Sequence, residues 1–141
     1  MKKIYLYIFV GLMWCNIGFG DEVTLARTEA VKSNYRSAIK YMAAENMKCN
    51  LGVKTSMDGN LICSGRTAHS VVYATDIVLA DSFINPYTGY NAIIISKRNI
   101  TDRDVGFVFI SASGSNVIFK TCFKEPCNQE NNQLSNTVQI K

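Results

Sequence analysis

The hydrophobic and polar positions of this chain form a helical pattern first and strand-like patterns later. Between Asp21 and Cys49 there is neither Gly nor Pro, and Ala, Glu, Lys, Arg and Met are frequent. The apolar side chains that recur at helical spacing are Val31, Tyr35, Ala38, Ile39 and Met42. The charged side chains that face elsewhere are Arg27, Lys32, Arg36, Lys40 and Glu45. This pattern predicts one long amphipathic helix that ends near "CNLG" (49–52) and needs a partner surface, because a lone helix is marginal in water.

The second half of the chain has the composition of β-strands. The segments rich in Ile, Val and Phe are "NAIIISK" (91–97), "VGFVFISA" (105–112) and "NVIFKTCF" (116–123). Residues 113–115 form a tight connector between the last two, and "SNTVQIK" (135–141) can add a final strand at an edge. We expect neighbouring antiparallel strands that cover the apolar stripe of the helix.

The middle of the chain is less regular. The Asp58-Gly59 turn signal predicts a small hairpin from residues 53–56 and 60–63. The stretch 67–80 suits either a strand or a short helix capped by Thr67, and we favour the helix. Residues 83–91 form a loop, since Asn85-Pro86 initiates turns. The order of elements predicts an α+β fold, in which a long N-terminal helix packs on an antiparallel sheet of about four strands.

The N-terminus has the pattern of a secretory signal peptide. Lys2 and Lys3 precede an apolar run from Ile4 to Trp14, and small residues stand before residue 21. We therefore predict a signal peptide over residues 1–20 and a single domain over 21–141. The alternative is an uncleaved membrane anchor, because the apolar stretch is almost long enough to cross a bilayer.

Charge and motifs exclude several function classes. The formal charge of +4 falls to +2 once Lys2 and Lys3 are removed, which argues against a strongly basic nucleic-acid surface. No phosphate-binding Gly loop, metal motif or "GxSxG" occurs in the sequence. We therefore expect that the protein is not an enzyme and that it binds no cofactor and no small-molecule substrate. The single histidine, His69, lies beside an apolar run and is expected to be structural.

The cysteines point to an oxidising compartment. Cleavage would remove Cys15 and leave an even set, Cys49, Cys63, Cys122 and Cys127. Four cysteines allow three pairings, and their spacing favours Cys49–Cys63 and Cys122–Cys127. A zinc site fits the number of cysteines but not the compartment or the ligand spacing. A redox pair is also disfavoured, because "FKEP" is no recognisable oxidoreductase dipeptide.

Three motifs together resemble bacterial type IV pilins. "LARTEAVKSNYRSAIKYMAAENMKC" is similar to the second half of their long N-terminal helix, "NPYTG" to a loop before their sheet, and "TCFKEPC" to their C-terminal disulfide-bounded loop. The resemblance spans roughly residues 24–141. It implies a pilin-like fold, export, and assembly into a surface filament used for adhesion, motility or DNA uptake. The apolar run precedes "GFGDE", however, so cleavage there would leave no apolar helix half to pack a filament core.

Two surfaces are candidates for contact with partners. The stapled C-terminal loop offers polar side chains to pilin subunits or pilus assembly proteins, and they are Lys124, Glu125, Asn128, Gln129, Asn131 and Asn132. It could equally be a solubilising loop. Lys97, Arg98 and Arg103 are candidates for DNA contact, with Tyr87 and Tyr90 as stacking groups. The competing interpretation is a charged turn, in which Asp102 and Asp104 form local ion pairs in solvent.

The function expected from these observations is structural. We expect a pilin-like subunit or accessory protein of a type IV pilus or related filament, located in the periplasm, at the cell surface or outside the cell. The alternative is a soluble periplasmic or secreted binding or inhibitor module that shares the fold and enters no filament.

Overall fold

The computed structural model describes residues 19–141, so the predicted signal peptide lies almost entirely outside the described residues. The description begins with the long helix α1, Phe19–Asn50. The predicted apolar stripe is confirmed, since Val31, Ala38 and Met42 are fully buried and Tyr35 is almost so. Asp21 and Glu22 lie in the first turn, where carboxylates favour the positive end of the helix dipole.

Glu45 departs from the predicted pattern. It was expected on an exposed face of the helix but is 93% buried, with 7% of its surface accessible. Its carboxylate accepts a hydrogen bond from the Met57 backbone N–H at 2.7 Å and forms an ion pair with Lys48. Burial alone would raise the pKa of Glu45, but these two hydrogen bonds lower it overall. The helical spacing could not reveal a partner that lies in the following hairpin.

The segment after α1 contains the predicted hairpin and helix. Strands β1, Thr55–Ser56, and β2, Leu61–Ile62, pair antiparallel across a turn at Met57–Gly59. Helix α2, Ala68–Leu79, begins with a capping box between Thr67 and Ser70. The helical interpretation of residues 67–80 is therefore confirmed.

The main sheet has four strands in the order β3-β4-β5-β6. They are β3, Ile93–Ile95; β4, Val108–Ser113; β5, Asn116–Cys122; and β6, Gln133–Gln139. Strand β6 lies at an edge, as predicted, and β4, β5 and β6 pair antiparallel in sequence.

The sheet is nevertheless mixed, because β3 and β4 are parallel, with Ile93 opposite Val108. The fully antiparallel sheet predicted from the sequence is wrong at this pair. Parallel neighbours need a connection of about a dozen residues, and residues 96–107 supply it. This connection resembled a hairpin loop in sequence, since apolar composition marks a strand without giving its direction.

Both helices pack on one face of the sheet, α1 over β4 and β5 and α2 over β3 and β4. The core between these layers contains Met42 from α1, Val71 from α2, and Ile110 and Phe119 from the central strands, all with at most 1% of their surface accessible. Within residues 19–141, no helix has both the length and the hydrophobicity needed to cross a membrane.

Candidate functional site

Three loops meet at one end of the sheet, and we call them the loop cluster. They are residues 83–91, the β3–β4 connection at 96–107 and the segment 122–134. Asn85 joins the first two loops from a fully buried position. Its side-chain Nδ2 donates to the Val105 carbonyl at 3.0 Å, and its Oδ1 accepts from the Tyr87 N–H at 2.8 Å. Because both ends of the amide are used, the "NPYTG" loop has a fixed position.

Gly106 allows this close approach. Its φ is +86°, and a Cβ there would lie 2.2 Å from Asn85 Oδ1. Any side chain would therefore clash with the buried amide as well as occupy an unfavourable backbone region. Its N–H donates to the Cys122 carbonyl at 2.9 Å, which ties the connection to the end of β5.

Tyr87 links the cluster to the next loop and to α1. Its hydroxyl donates to the Phe123 carbonyl at 2.9 Å, and the Arg27 guanidinium lies 5.6 Å from its ring centroid. The Lys32 ammonium lies 4.6 Å from the Phe123 ring, a second cation–π contact. The loop cluster and α1 are thus one packed unit.

The segment 122–134 contains the second disulfide, and we call it the disulfide loop. Several contacts fix its position. Cys122 and Cys127 form a disulfide, as Cys49 and Cys63 do, in the pairing that the spacing favoured. The Asp102 carboxylate accepts from the Cys127 N–H at 2.6 Å, and Gln133 donates to the Cys127 carbonyl. Two disulfides are compatible with folding in an oxidising compartment.

The predicted partner-binding residues differ in exposure. Asn132 is buried and donates to the Pro126 carbonyl at 2.9 Å, so its side chain supports the loop from inside. The members of the predicted set that are exposed are Lys124, Glu125, Asn128, Gln129 and Asn131. The disulfide loop therefore presents most of its polar side chains to solvent while its backbone is fixed.

Asp104 and Arg98 form a partly buried ion pair. Asp104 is 98% buried, with 2% of its surface accessible, and therefore does not lie in solvent as the sequence suggested. Arg98 donates to both of its carboxylate oxygens, and the Thr101 N–H and hydroxyl each donate at 2.8 Å. Burial alone would raise the pKa of Asp104, but the bonds from Thr101 and Arg98 lower it overall.

The residues predicted to contact DNA are separated by the fold. Lys97 and Arg98 line a shallow pocket of about 180 Å³ on the sheet face away from the helices, together with Lys120 from β5 and the serines Ser96, Ser111 and Ser113. Arg98 is neutralised by Asp104 and lies 5.2 Å from the Phe109 ring centroid. Arg103 is exposed on the short 3-10 helix Asp102–Asp104 and does not line this pocket.

The remaining candidate residues lie at the surface. His69 is exposed on α2, contrary to the structural role expected, and lines a second depression with Tyr73 and Ile95. Tyr90 is 73% exposed. In the part of the chain from residue 19 onwards, His, Cys, Asp and Glu side chains form no group of three or more that could hold a metal.

Sequence reasoning missed Asn85 as a buried residue, Gly106 as an obligatory glycine and Lys120 as a pocket residue. The Asn-Pro signal does indicate the bond from Tyr87 N–H to Asn85, since Asn favours such turns. The other two depend on which segments meet in space, for which the sequence carries no local signal.

No protein-family model matches the chain, and neither the curated proteins nor the solved structures show significant similarity to it. The assignment of function therefore depends on the geometry described above and on the sequence motifs.

Proposed function

We propose that this chain is an exported, pilin-like subunit or accessory protein of a surface filament. It acts in the periplasm, at the cell surface or outside the cell, without catalytic chemistry. The observation that supports this proposal most directly is the shape of α1. Its C-terminal two-thirds pack on the sheet, on α2 and on the small hairpin, whereas every residue from 20 to 26 is exposed.

This exposed part, residues 20–26, is called the projecting segment. It carries Val23 and Leu25, which are 47% and 64% exposed. Both apolar side chains are exposed within residues 19–141, and association with another chain would remove them from water. The fixed polar surface of the disulfide loop is a second contact surface, because a stapled loop loses little entropy on binding.

A fractionation experiment tests the proposal. Cells that export the chain are sheared, and the filament and periplasmic fractions are compared by immunoblotting. We expect the parent chain in the filament fraction and its loss from that fraction in Leu25→Asp, because a charge would disrupt an apolar contact. Ile77→Asp is the matched control, since Ile77 is 62% exposed on α2. A parent chain found only as a periplasmic monomer would favour the soluble binding module.

The pocket lined by Lys97 and Lys120 favours a second candidate function, contact with DNA or another polyanion. Two lysines that form no ion pair within residues 19–141 and three serines surround it, a combination suited to phosphate oxygens. Arg98 is unsuitable for the test, because its replacement would leave the buried Asp104 without its ion-pair partner.

The double variant Lys97→Ala/Lys120→Ala tests this second function. It should weaken DNA binding and reduce the magnitude of its slope against salt concentration, on double logarithmic axes, by about 2. Lys40→Ala/Lys54→Ala removes the same charge elsewhere and should leave more binding intact. Absence of DNA binding by the parent protein at low salt would reject the idea.

A further inference from the structure

The two ends of α1 carry surfaces of opposite charge, each with exposed apolar residues. At the first end, the projecting segment contains Asp21 and Glu22 and no basic residue before Arg27. Leu25 lies one turn after Asp21 and therefore on the same side of the helix. This end combines an apolar contact residue with a net negative charge.

The second end is formed by the turn after α1 and the small hairpin, and we call it the hairpin patch. It consists of Leu51, Val53 and Ile62, which are 80%, 42% and 69% exposed, beside Lys54 and Arg66. Val53, Lys54 and Ile62 line a depression of about 420 Å³ next to the Cys49–Cys63 disulfide.

The charge of the hairpin patch is positive. Within the described part of the chain, Arg66 donates only to neutral oxygens, those of Asn46, Asn50 and Cys63, so these contacts do not cancel its charge. Lys48 and Glu45 neutralise each other, and residues 51–66 contain one acidic residue, Asp58, against Lys54 and Arg66. The patch is therefore complementary in charge to the projecting segment.

These two surfaces cannot meet within one chain. A helix of 32 residues is about 48 Å long, and the buried contacts of Val31, Ala38 and Met42 fix α1 along the sheet. The surfaces lie at its opposite ends. Only a second copy can bring a projecting segment to a hairpin patch.

We propose that the projecting segment of one copy docks on the hairpin patch of the next. The inference rests on the proposed function and names the partner surface within the filament. Because the two surfaces differ, the contact is heterologous. A heterologous contact forms an open array unless its rotation closes a ring, and an open array is what the proposed filament requires. A segment of seven residues buries less than the roughly 1,200 Å² of a stable interface. The contact is therefore weak alone and effective in an array, where neighbours have a high effective concentration.

Zero-length carbodiimide cross-linking tests the contact, because this reagent joins a carboxylate to a lysine amine. The full chain is isolated from exporting cells in isotopically light and heavy forms, which are mixed and concentrated. We expect cross-linked peptides that join Asp21 or Glu22 of one form to Lys54 of the other. Lys54→Arg should abolish this cross-link, since arginine keeps the charge but does not react.

A pair of matched variants separates specific docking from chance collision. Ile62→Asp, at the centre of the hairpin patch, should lower the yield of the cross-link about tenfold. Ile77→Asp, which is similarly exposed but lies on α2, should leave it unchanged. Equal loss in both variants, or no cross-link in the parent, would overturn the inference.

The outcome is separable from that of the proposed function. A chain that enters the filament fraction without giving the cross-link rejects this contact and leaves the filament role intact. A chain that gives the cross-link but never enters that fraction rejects the filament role and shows self-association of another kind.

Discussion

Single buried polar residues determine the conformation of the loop cluster. Asn85, Asp104 and Asn132 each use their side chains to bond backbone groups within the loop cluster. A buried polar group that loses its partner costs about 1–3 kcal/mol, so these residues fix one loop arrangement among several. The polar surface offered to a partner therefore depends on residues that the partner does not touch.

Replacement of Gly106 tests the packing around the buried Asn85 side chain. Gly106→Ala should lower the free energy of unfolding by more than the roughly 1–2 kcal/mol expected from its backbone conformation, because the new Cβ meets Asn85. Gly114→Ala is the matched control. Gly114 also has a positive φ, +57°, but a Cβ at this position would have no neighbouring atom within 4 Å. Urea unfolding measures both variants. Equal losses would contradict the packing described for Asn85.

The stability of the domain should decrease in acid. The pKa values of Glu45 and Asp104 are lowered in the folded state, so each stabilises the fold above its unfolded pKa of about 4. That stabilisation is lost as pH falls through the folded pKa. Asp104→Asn should lower the free energy of unfolding at neutral pH by about 1–3 kcal/mol and flatten its dependence on acid pH. Asn128→Ala, at an exposed position, should leave this dependence unchanged.

At the scale of elements, the two disulfides have different structural roles. Cys49–Cys63 closes a loop with a sequence separation of 14 and connects the end of α1 to the hairpin. Cys122–Cys127, with a separation of 5, fixes the surface loop after β5. The chain-entropy estimate gives about 3 kcal/mol for the first and about 2 kcal/mol for the second.

Removal of each disulfide in turn should separate its effect on the local order of a loop from its effect on global stability. In Cys122→Ala/Cys127→Ala, amide hydrogen exchange should increase over residues 123–132 while β4 and β5 stay protected, because both cysteines belong to a small cluster separate from the main helix–sheet core. Cys49→Ala/Cys63→Ala should instead lower global stability. If loss of Cys122–Cys127 unfolds the whole domain, the loop is a structural support and not a separate contact surface.

The elements themselves were largely predictable. The apolar stripe of α1, the capping signal at Thr67 and the Ile- and Val-rich strands are local patterns, and each formed as expected. The parallel pairing of β3 and β4 was not predictable, because strand direction depends on how residues 96–107 cross the sheet. Burial of Glu45 was missed for a related reason, since its partner Met57 lies 12 residues away in the hairpin. The partners of Asp104, which are Arg98 and Thr101, are local, so the sequence indicated the ion pair but not its burial.

At the scale of the whole molecule, α1 separates two complementary surfaces, the projecting segment and the hairpin patch, which cannot contact each other within one copy. Its packed part carries the sheet and the loop cluster, and its exposed part extends beyond them. The negative projecting segment and the positive hairpin patch at opposite ends give the domain a direction, which is what a subunit of an open array requires. The loop cluster remains free to present the disulfide loop outward.

Immunogold electron microscopy of intact exporting cells tests the proposed role as a filament subunit. Antibodies raised against residues 19–141 should label surface filaments at repeated positions along their length. Labelling confined to the periplasm or the medium, with unlabelled filaments, would contradict this role.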